Sequence, residues 1–173
     1  MARIHLIEGP VGAGKSTFSA QLSSQHGAPY FNLDDWMATL FSTERSSSSQ
    51  NSMDQYLNRK ARCLEQICKV AHDVAQHNAN IVLELGLIQK TDRLHFYAWV
   101  VEAGFELTVY VLEASLPTRK ARVKERNLIQ GDTFSMVVPD EKFDRANNFW
   151  ETPDEDECAN RDIRFHSTEI SIQ

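Results

Sequence analysis

The chain has 173 residues, 42% of them hydrophobic and 24% charged, with a formal net charge of −6. This composition suits one soluble globular domain spanning 1–173 with one sizeable core. The negative balance argues against bulk electrostatic binding to nucleic acid or to an anionic membrane, and apolar runs as short as 81–83 cannot cross a bilayer.

In chain order, residues 2–9 (ARIHLIEG) read as a buried strand entering a glycine turn. From Ser16 the spacing of Phe18 and Leu22 predicts a helix that stops near Gly27 and Pro29. Residues 29–33 (PYFNL) are a second short strand, and Trp36, Met37, Leu40 and Phe41 mark a short helix after Asp34. Residues 42–52 form a polar loop; its serine cluster is read as solvated, with phosphorylation as the alternative. A long helix is expected from about 53 to 77, with Tyr56, Leu57, Leu64, Ile67, Val70, Ala71 and Val74 on its apolar face and Cys63 and Cys68 serving its packing.

Residues 79–86 (ANIVLELG) read as a buried strand, followed by a helix over 90–104 with Thr91 as candidate N-cap and Gly104 in the stop position. Residues 105–113 (FELTVYVLE) are the clearest strand, rich in Val, Tyr and Phe. A strongly basic helix over 116–131 follows, then an extended stretch passing into a helix that opens near Pro139. Residues 151–162 are an acidic, solvent-exposed turn, and 163–171 a final edge strand. Alternating strands and helices with right-handed crossovers give a parallel sheet covered on both faces, with ligands at the carboxyl ends of the strands. Three cysteines (Cys63, Cys68, Cys158) cannot all pair and share no metal-ligand spacing with the six histidines, so reduced thiols in a cytoplasmic protein are expected. The N-terminus, with Arg3 and few apolar residues before Glu8, does not read as a secretory signal.

Gly9-Pro10-Val11-Gly12-Ala13-Gly14-Lys15-Ser16 satisfies G-x-x-x-x-G-K-S/T in full, between a strand and a helix. Glycines without Cβ let the loop curl with its N–H groups inward, and the helix N-terminus adds its dipole, making an anion nest. Lys15 adds a point charge for the β- and γ-phosphates, and Ser16 offers a hydroxyl to Mg²⁺, a hard cation that takes oxygen ligands. Thr17 either backs this cradle or is an ordinary helix residue. ATP with Mg²⁺ is the expected cofactor.

Three further features bear on the fate of the phosphate. Asp34 and Asp35 follow the second strand; either can accept the proton of an attacking hydroxyl, cap the next helix, or the two can divide these tasks. Arg119, Arg122 and Arg126 are spaced three and four apart and share one helix face, fit to clamp a phosphoryl group; the bland alternative is a solvated basic face balanced by the acidic segment at 151–157. Glu84, at the end of a hydrophobic strand, can hold a metal-bound water, bind substrate, or pair with Arg93.

These residues together resemble the small P-loop kinases of the polynucleotide kinase, zeta-toxin and chloramphenicol phosphotransferase type, many of which carry only an "ATP-binding protein, AAA domain" label. The carriers are GPVGAGKST, NLDDW, IVLELG followed by Arg93, and ARVKERN; the segment with Phe134, Val138, Phe143, Phe149 and Pro153 is similar to a bacterial branch of the group. The resemblance implies a three-layer α/β fold with a five-stranded parallel sheet and a helical arginine lid at about 117–138. It implies that Asp34 is the base, and that Arg122 and Arg126 match the lid arginines better than Arg119 does. Polynucleotide kinases carry an arginine three residues after that aspartate; Met37 stands there in this chain, which counts against a nucleic-acid substrate.

The expectation is an ATP-dependent kinase acting on a small hydroxyl-bearing molecule: a metabolite, sugar nucleotide or antibiotic. Lys15, Asp34, Arg122 and Arg126 are the catalytic candidates, residues 9–17 with both arginines hold the nucleotide, and Asp34, Asp35 and Glu84 face substrate. The rivals are a nucleotide-binding regulatory module and a simple ATPase or GTPase; the base-reading Asn-Lys-x-Asp of GTPases is absent.

Overall fold

The computed structural model describes residues 1–41, 52–131 and 137–169. The serine-rich loop and Phe134 lie outside them.

The strands β1 (Arg3–Glu8), β2 (Tyr30–Asn32), β3 (Ile81–Glu84), β4 (Glu106–Glu113) and β5 (Asp162–Ser167) form one sheet in the order β2-β3-β1-β4-β5. Every neighbouring pair is parallel. The chain leaves β1 for one edge, fills β3 beside it, then builds outward on the other side. The strand order therefore reverses at β1, the position where open α/β sheets form their ligand crevice. The expected final edge strand is present as β5, paired with β4 from Thr108↔Asp162 to Glu113↔Ser167.

The helices are α1 (Lys15–His26), α2 (Leu33–Phe41), α3 (Ser52–Gln76), α4 (Lys90–Glu102), α5 (Leu116–Ile129), α6 (Asp140–Phe149) and α7 (Glu155–Cys158). Successive strand side chains alternate between faces, and this alternation sorts the core. Ile4, Leu6, Ile81, Leu83, Val109 and Val111 face one way and pack with Met37, Ile67, Ala71, Tyr97 and Val100 from α2, α3 and α4. Ile7, Val82, Tyr110 and Leu112 face the other way, against Leu22 and Phe18 of α1. Each fully buried aliphatic side chain stabilises the fold by ~1.5–3 kcal/mol. Among the described residues no helix is long and apolar enough to cross a membrane.

Four local expectations change. The apolar face of α3 runs through Cys63, Ile67 and Ala71, while Tyr56 and Leu57 are 40% and 52% exposed, because the first turns of α3 lie beyond the sheet. Thr91 does not cap α4; Gln89 occupies the N-cap without a side-chain bond, and the Glu151 carboxylate accepts from the Lys90 N–H at 2.6 Å instead. The acidic stretch is mostly exposed, as expected, but it does not serve to balance the basic helix. It straps onto α4: Lys90 pairs with Asp154, and Glu157 inserts beneath α4.

The fourth change concerns Arg93, whose partner is Glu157 and not Glu84. Arg93 Nε and Nη2 donate to the two Glu157 oxygens at 2.6 and 3.0 Å, and the Tyr97 hydroxyl donates to Oε1 at 2.9 Å. Both charged side chains are fully buried. Burial and the Glu157 charge together push the Tyr97 hydroxyl's pKa well up. Such a pair contributes little net stability, yet orphaning one member is expensive. Glu157→Gln and Arg93→Met are each expected to cost about 3–5 kcal/mol in urea denaturation. The double replacement Arg93→Met/Glu157→Leu should recover much of that loss; equal losses in the single and double variants would contradict the buried-pair account.

Candidate functional site

The loop between β1 and α1 curls because its glycines take conformations that a side chain would forbid. Gly9, Gly12 and Gly14 have φ of 144°, 81° and 90°. A Cβ on Gly9 would meet the Leu112 carbonyl oxygen at 2.6 Å, and one on Gly12 would meet the Arg119 carbonyl oxygen at the same distance. Ala13 N–H closes the turn on Pro10 O at 3.2 Å. Gly14 then enters α1 without any side-chain cap, which leaves the helix N-terminus available to an anion. Lys15 folds back over the loop, donating to Gly9 O at 3.0 Å and Pro10 O at 3.2 Å.

This loop forms one wall of a cavity of about 750 Å³, within the size range of ligand sites. Gly9, Val11, Gly12, Gly14, Lys15, Ser16 and Thr17 line it. Pro10 and Ala13, also expected among the nucleotide-holding residues, are buried, and Pro10 O accepts from the Ala13 N–H inside the turn.

The strand ends supply the acidic groups. Glu84, the last residue of β3, accepts from Tyr30 Oη at 2.5 Å, Ser16 Oγ at 3.2 Å and Asn32 Nδ2 at 3.3 Å. Burial raises its carboxyl above the usual range, against the pull of Lys15 and of these hydrogen bonds. Ser16 and Glu84 thus present hard oxygen donors side by side, a set that fits Mg²⁺. No cluster of three or more His, Cys, Asp or Glu able to hold a metal occurs among the described residues, so the phosphates and water would complete the coordination.

Asn32, not an aspartate, caps α2. Its Oδ1 accepts from the N–H groups of Asp34 at 2.8 Å and Asp35 at 3.4 Å, and Asn is among the favoured N-cap residues. The Asp34 carboxylate is left to line the cavity. Asp35, one residue on, is exposed and is not part of that wall. Met37 is buried in the core and is therefore not a counterpart of a substrate-facing arginine.

The arginine row of α5 divides. Arg119 is 7% exposed and acts as a strut: it donates to Ala114 O at 3.1 Å, Val11 O at 3.2 Å and Asn147 Oδ1 at 2.7 Å. Arg122 and Arg126 line the cavity. Arg122 donates to Thr168 Oγ1 at 3.0 Å and to the Thr168 carbonyl, while Thr168 Oγ1 donates to Ala13 O at 2.9 Å. Arg126 keeps a buried Nε without a hydrogen-bond partner among the described residues. Thr168, Tyr56 and Lys60 also line the cavity; the sequence marked Tyr56 on the face of the long helix but not Thr168 or Lys60, and the i,i+4 spacing from Tyr56 is the signal it held for Lys60.

A glycine cradle with Lys and Ser at the reversal point of a parallel sheet, faced by a strand-end carboxylate, defines a P-loop NTPase. The chain belongs to the AAA domain family (AAA_33), whose model matches residues 4–153. No curated protein matches it significantly. Among solved structures it is similar to a putative kinase from Chloroflexus aurantiacus, with TM-score 0.73 and 15% identity, covering 96% of this chain and 85% of that one. It is similar to Kti12 of Chaetomium thermophilum, solved in complex with ADP-AlF3, with TM-score 0.69 and 13% identity over 96% and 89% of the two chains. A gluconokinase from Sinorhizobium meliloti matches with TM-score 0.60 and 14% identity over 96% and 82%. At such identities the likeness is one of fold: the five-stranded P-loop kinase architecture.

Beneath the cradle, Glu8 ends β1 fully buried, with neither carboxyl oxygen hydrogen-bonded to a described residue. Burial raises its pKa from 4.5 to about 8, against the opposing charges of Lys15 and Arg93. The folded protein therefore keeps a proton that the unfolded chain releases. The stability this group contributes is full below pH 4.5 and is lost as pH rises to about 8. Glu8→Gln is expected to gain stability over the parent at pH 8 while differing little at pH 5, read as urea midpoints at the two pH values. An unchanged difference between them would show that Glu8 ionises normally.

Proposed function

We propose that the protein is an ATP-dependent kinase transferring the γ-phosphate to a hydroxyl of a small molecule, with residues 1–173 acting as one domain and 117–138 as its lid. The observation that carries this reading is Asp34: because Asn32 does the capping, the aspartate is free to face the same cavity as the phosphate loop. A pure nucleotide switch gives no use to a carboxylate so placed, and a simple ATPase would use it on water in place of an alcohol.

In this reading the N–H groups of the loop and the α1 N-terminus hold the phosphates, and Lys15 exchanges its two carbonyl partners for phosphate oxygens. Ser16 and Glu84 would hold Mg²⁺, which on binding neutralises developing charge on the phosphates. Asp34 accepts the proton of the acceptor hydroxyl as its oxygen bonds to the γ-phosphorus, and the bond to the β-phosphate oxygen breaks to release ADP. Arg122 and Arg126 close over the transferring group and exclude water. Positioning and charge stabilisation supply the catalysis, since the loop itself does no covalent chemistry. The buried Met37 and the net charge of −6 favour a small acceptor over a polynucleotide.

The test is incubation with ATP, Mg²⁺ and a library of alcohols, read by mass spectrometry as the gain of one phosphate. Asp34→Asn should lower kcat about 10²–10⁴-fold while ATP affinity by calorimetry stays near the parent's. Lys15→Ala should lose both. ATP binding without transfer to any acceptor would overturn the kinase reading in favour of a nucleotide-dependent switch.

A further inference from the structure

The phosphate-binding cations account for one side of the cavity only. Lys15 comes from the loop, and Arg122 and Arg126 come from α5. The cavity is also lined by Asp34 on α2, by Tyr56 and Lys60 from α3, and by Lys142 on α6. Tyr56 and Lys60 are four residues apart and so share one helix face. That face looks toward Asp34, whose charge, together with burial, raises the Tyr56 hydroxyl's pKa. α3 therefore lines the cavity beside Asp34.

Lys60 stands out on this wall. It is half-buried, it lines the cavity, and no hydrogen bond or ion pair joins it to another described residue. Asp34, which lines the same cavity, is not its salt-bridge partner. The other lysines with nearby acids on the described surface behave differently: Lys69, Lys90 and Lys120 each hold a carboxylate at 2.9 Å or less. A partly desolvated ammonium in a binding cavity is satisfied by an anion, and a carboxylate or phosphate bound there forms charge-assisted hydrogen bonds.

We propose that Lys60 selects an acceptor that is itself anionic: an alcohol bearing a carboxylate or phosphate group away from the reacting hydroxyl. The anion rests on Lys60, the Tyr56 hydroxyl hydrogen-bonds the acceptor between, and the reacting hydroxyl meets Asp34. The net negative charge of the protein makes this local cation the main discriminator between anionic and neutral alcohols. This inference rests on the kinase reading.

The test uses paired acceptors with ATP and Mg²⁺: glycerol against glycerate and glycerol 3-phosphate, and ribose against ribonate and ribose 5-phosphate. Transfer to the anionic members in preference to their neutral partners is expected, and the carboxylate and phosphate arms show which anion the site takes. Lys60→Met should raise KM for the preferred anionic acceptor about 10–100-fold with kcat changed much less, should shrink the preference for anionic over neutral alcohols, and should keep ATP affinity near the parent's. Neutral and anionic alcohols turned over alike, or a Lys60→Met loss equal for both, would overturn the anionic acceptor while the kinase reading stands. An equal loss in ATP affinity would place Lys60 on the nucleotide instead. No transfer to any member while other alcohols of the library are phosphorylated would overturn the anionic acceptor alone, and ATP binding with no transfer to any alcohol would bring down both readings.

Discussion

The structure depends on two points where backbone touches backbone with no room for a side chain. At Gly9 the loop runs against Leu112 near the end of β4, and at Gly12 it runs against Arg119 in the second turn of α5. These contacts lock the phosphate loop to the strand on its far side and to the helix that carries the arginines. The cradle, the start of α5 and the carboxyl ends of the strands thereby become one frame, from which the later turns of α5 carry Arg122 and Arg126. A rigid frame matters for phosphoryl transfer, where the protein contributes position and charge rather than covalent chemistry.

Around that frame, chemistry and architecture are divided among residues of the same type. Arg119 is spent on holding the loop to α6 through Val11 and Asn147, which frees Arg122 and Arg126 to face the cavity. Arg93 is spent on Glu157 and pins the acidic strap beneath α4. Asn32 takes the capping task and releases Asp34; Tyr30 and Asn32 together fix Glu84 beside Ser16. In each case a neighbour discharges a structural duty so that the reactive group keeps its valences open.

The buried Glu8 shows what this arrangement costs. It lies under the loop with no hydrogen-bond partner among the described residues, close enough to Lys15 and Glu84 for their charges to act on it. Ionised, it would compete with the phosphates for Lys15; held protonated by burial, it does not. The same low-dielectric floor raises Glu84, and a cation arriving with the nucleotide would favour its ionised form.

The sequence by itself determined what depends on near neighbours along the chain. The cradle was legible because its glycines, Lys15 and Ser16 act through local backbone geometry at fixed spacing. The strands were legible because parallel, doubly covered strands are continuous apolar runs, and α5 because Arg122 and Arg126 sit on one face of any helix. Only the tertiary structure decided which residue of a type does which task. Whether Asp34 caps or faces substrate turned on Asn32, and whether Arg93 meets Glu84 or Glu157 turned on a segment 64 residues away in the chain. The cap of α4 came from Glu151 and the second cation wall from Lys60, neither marked by any motif. Such pairings are set by which elements the crossovers bring together, and a half-buried ion takes whichever partner the packing presents.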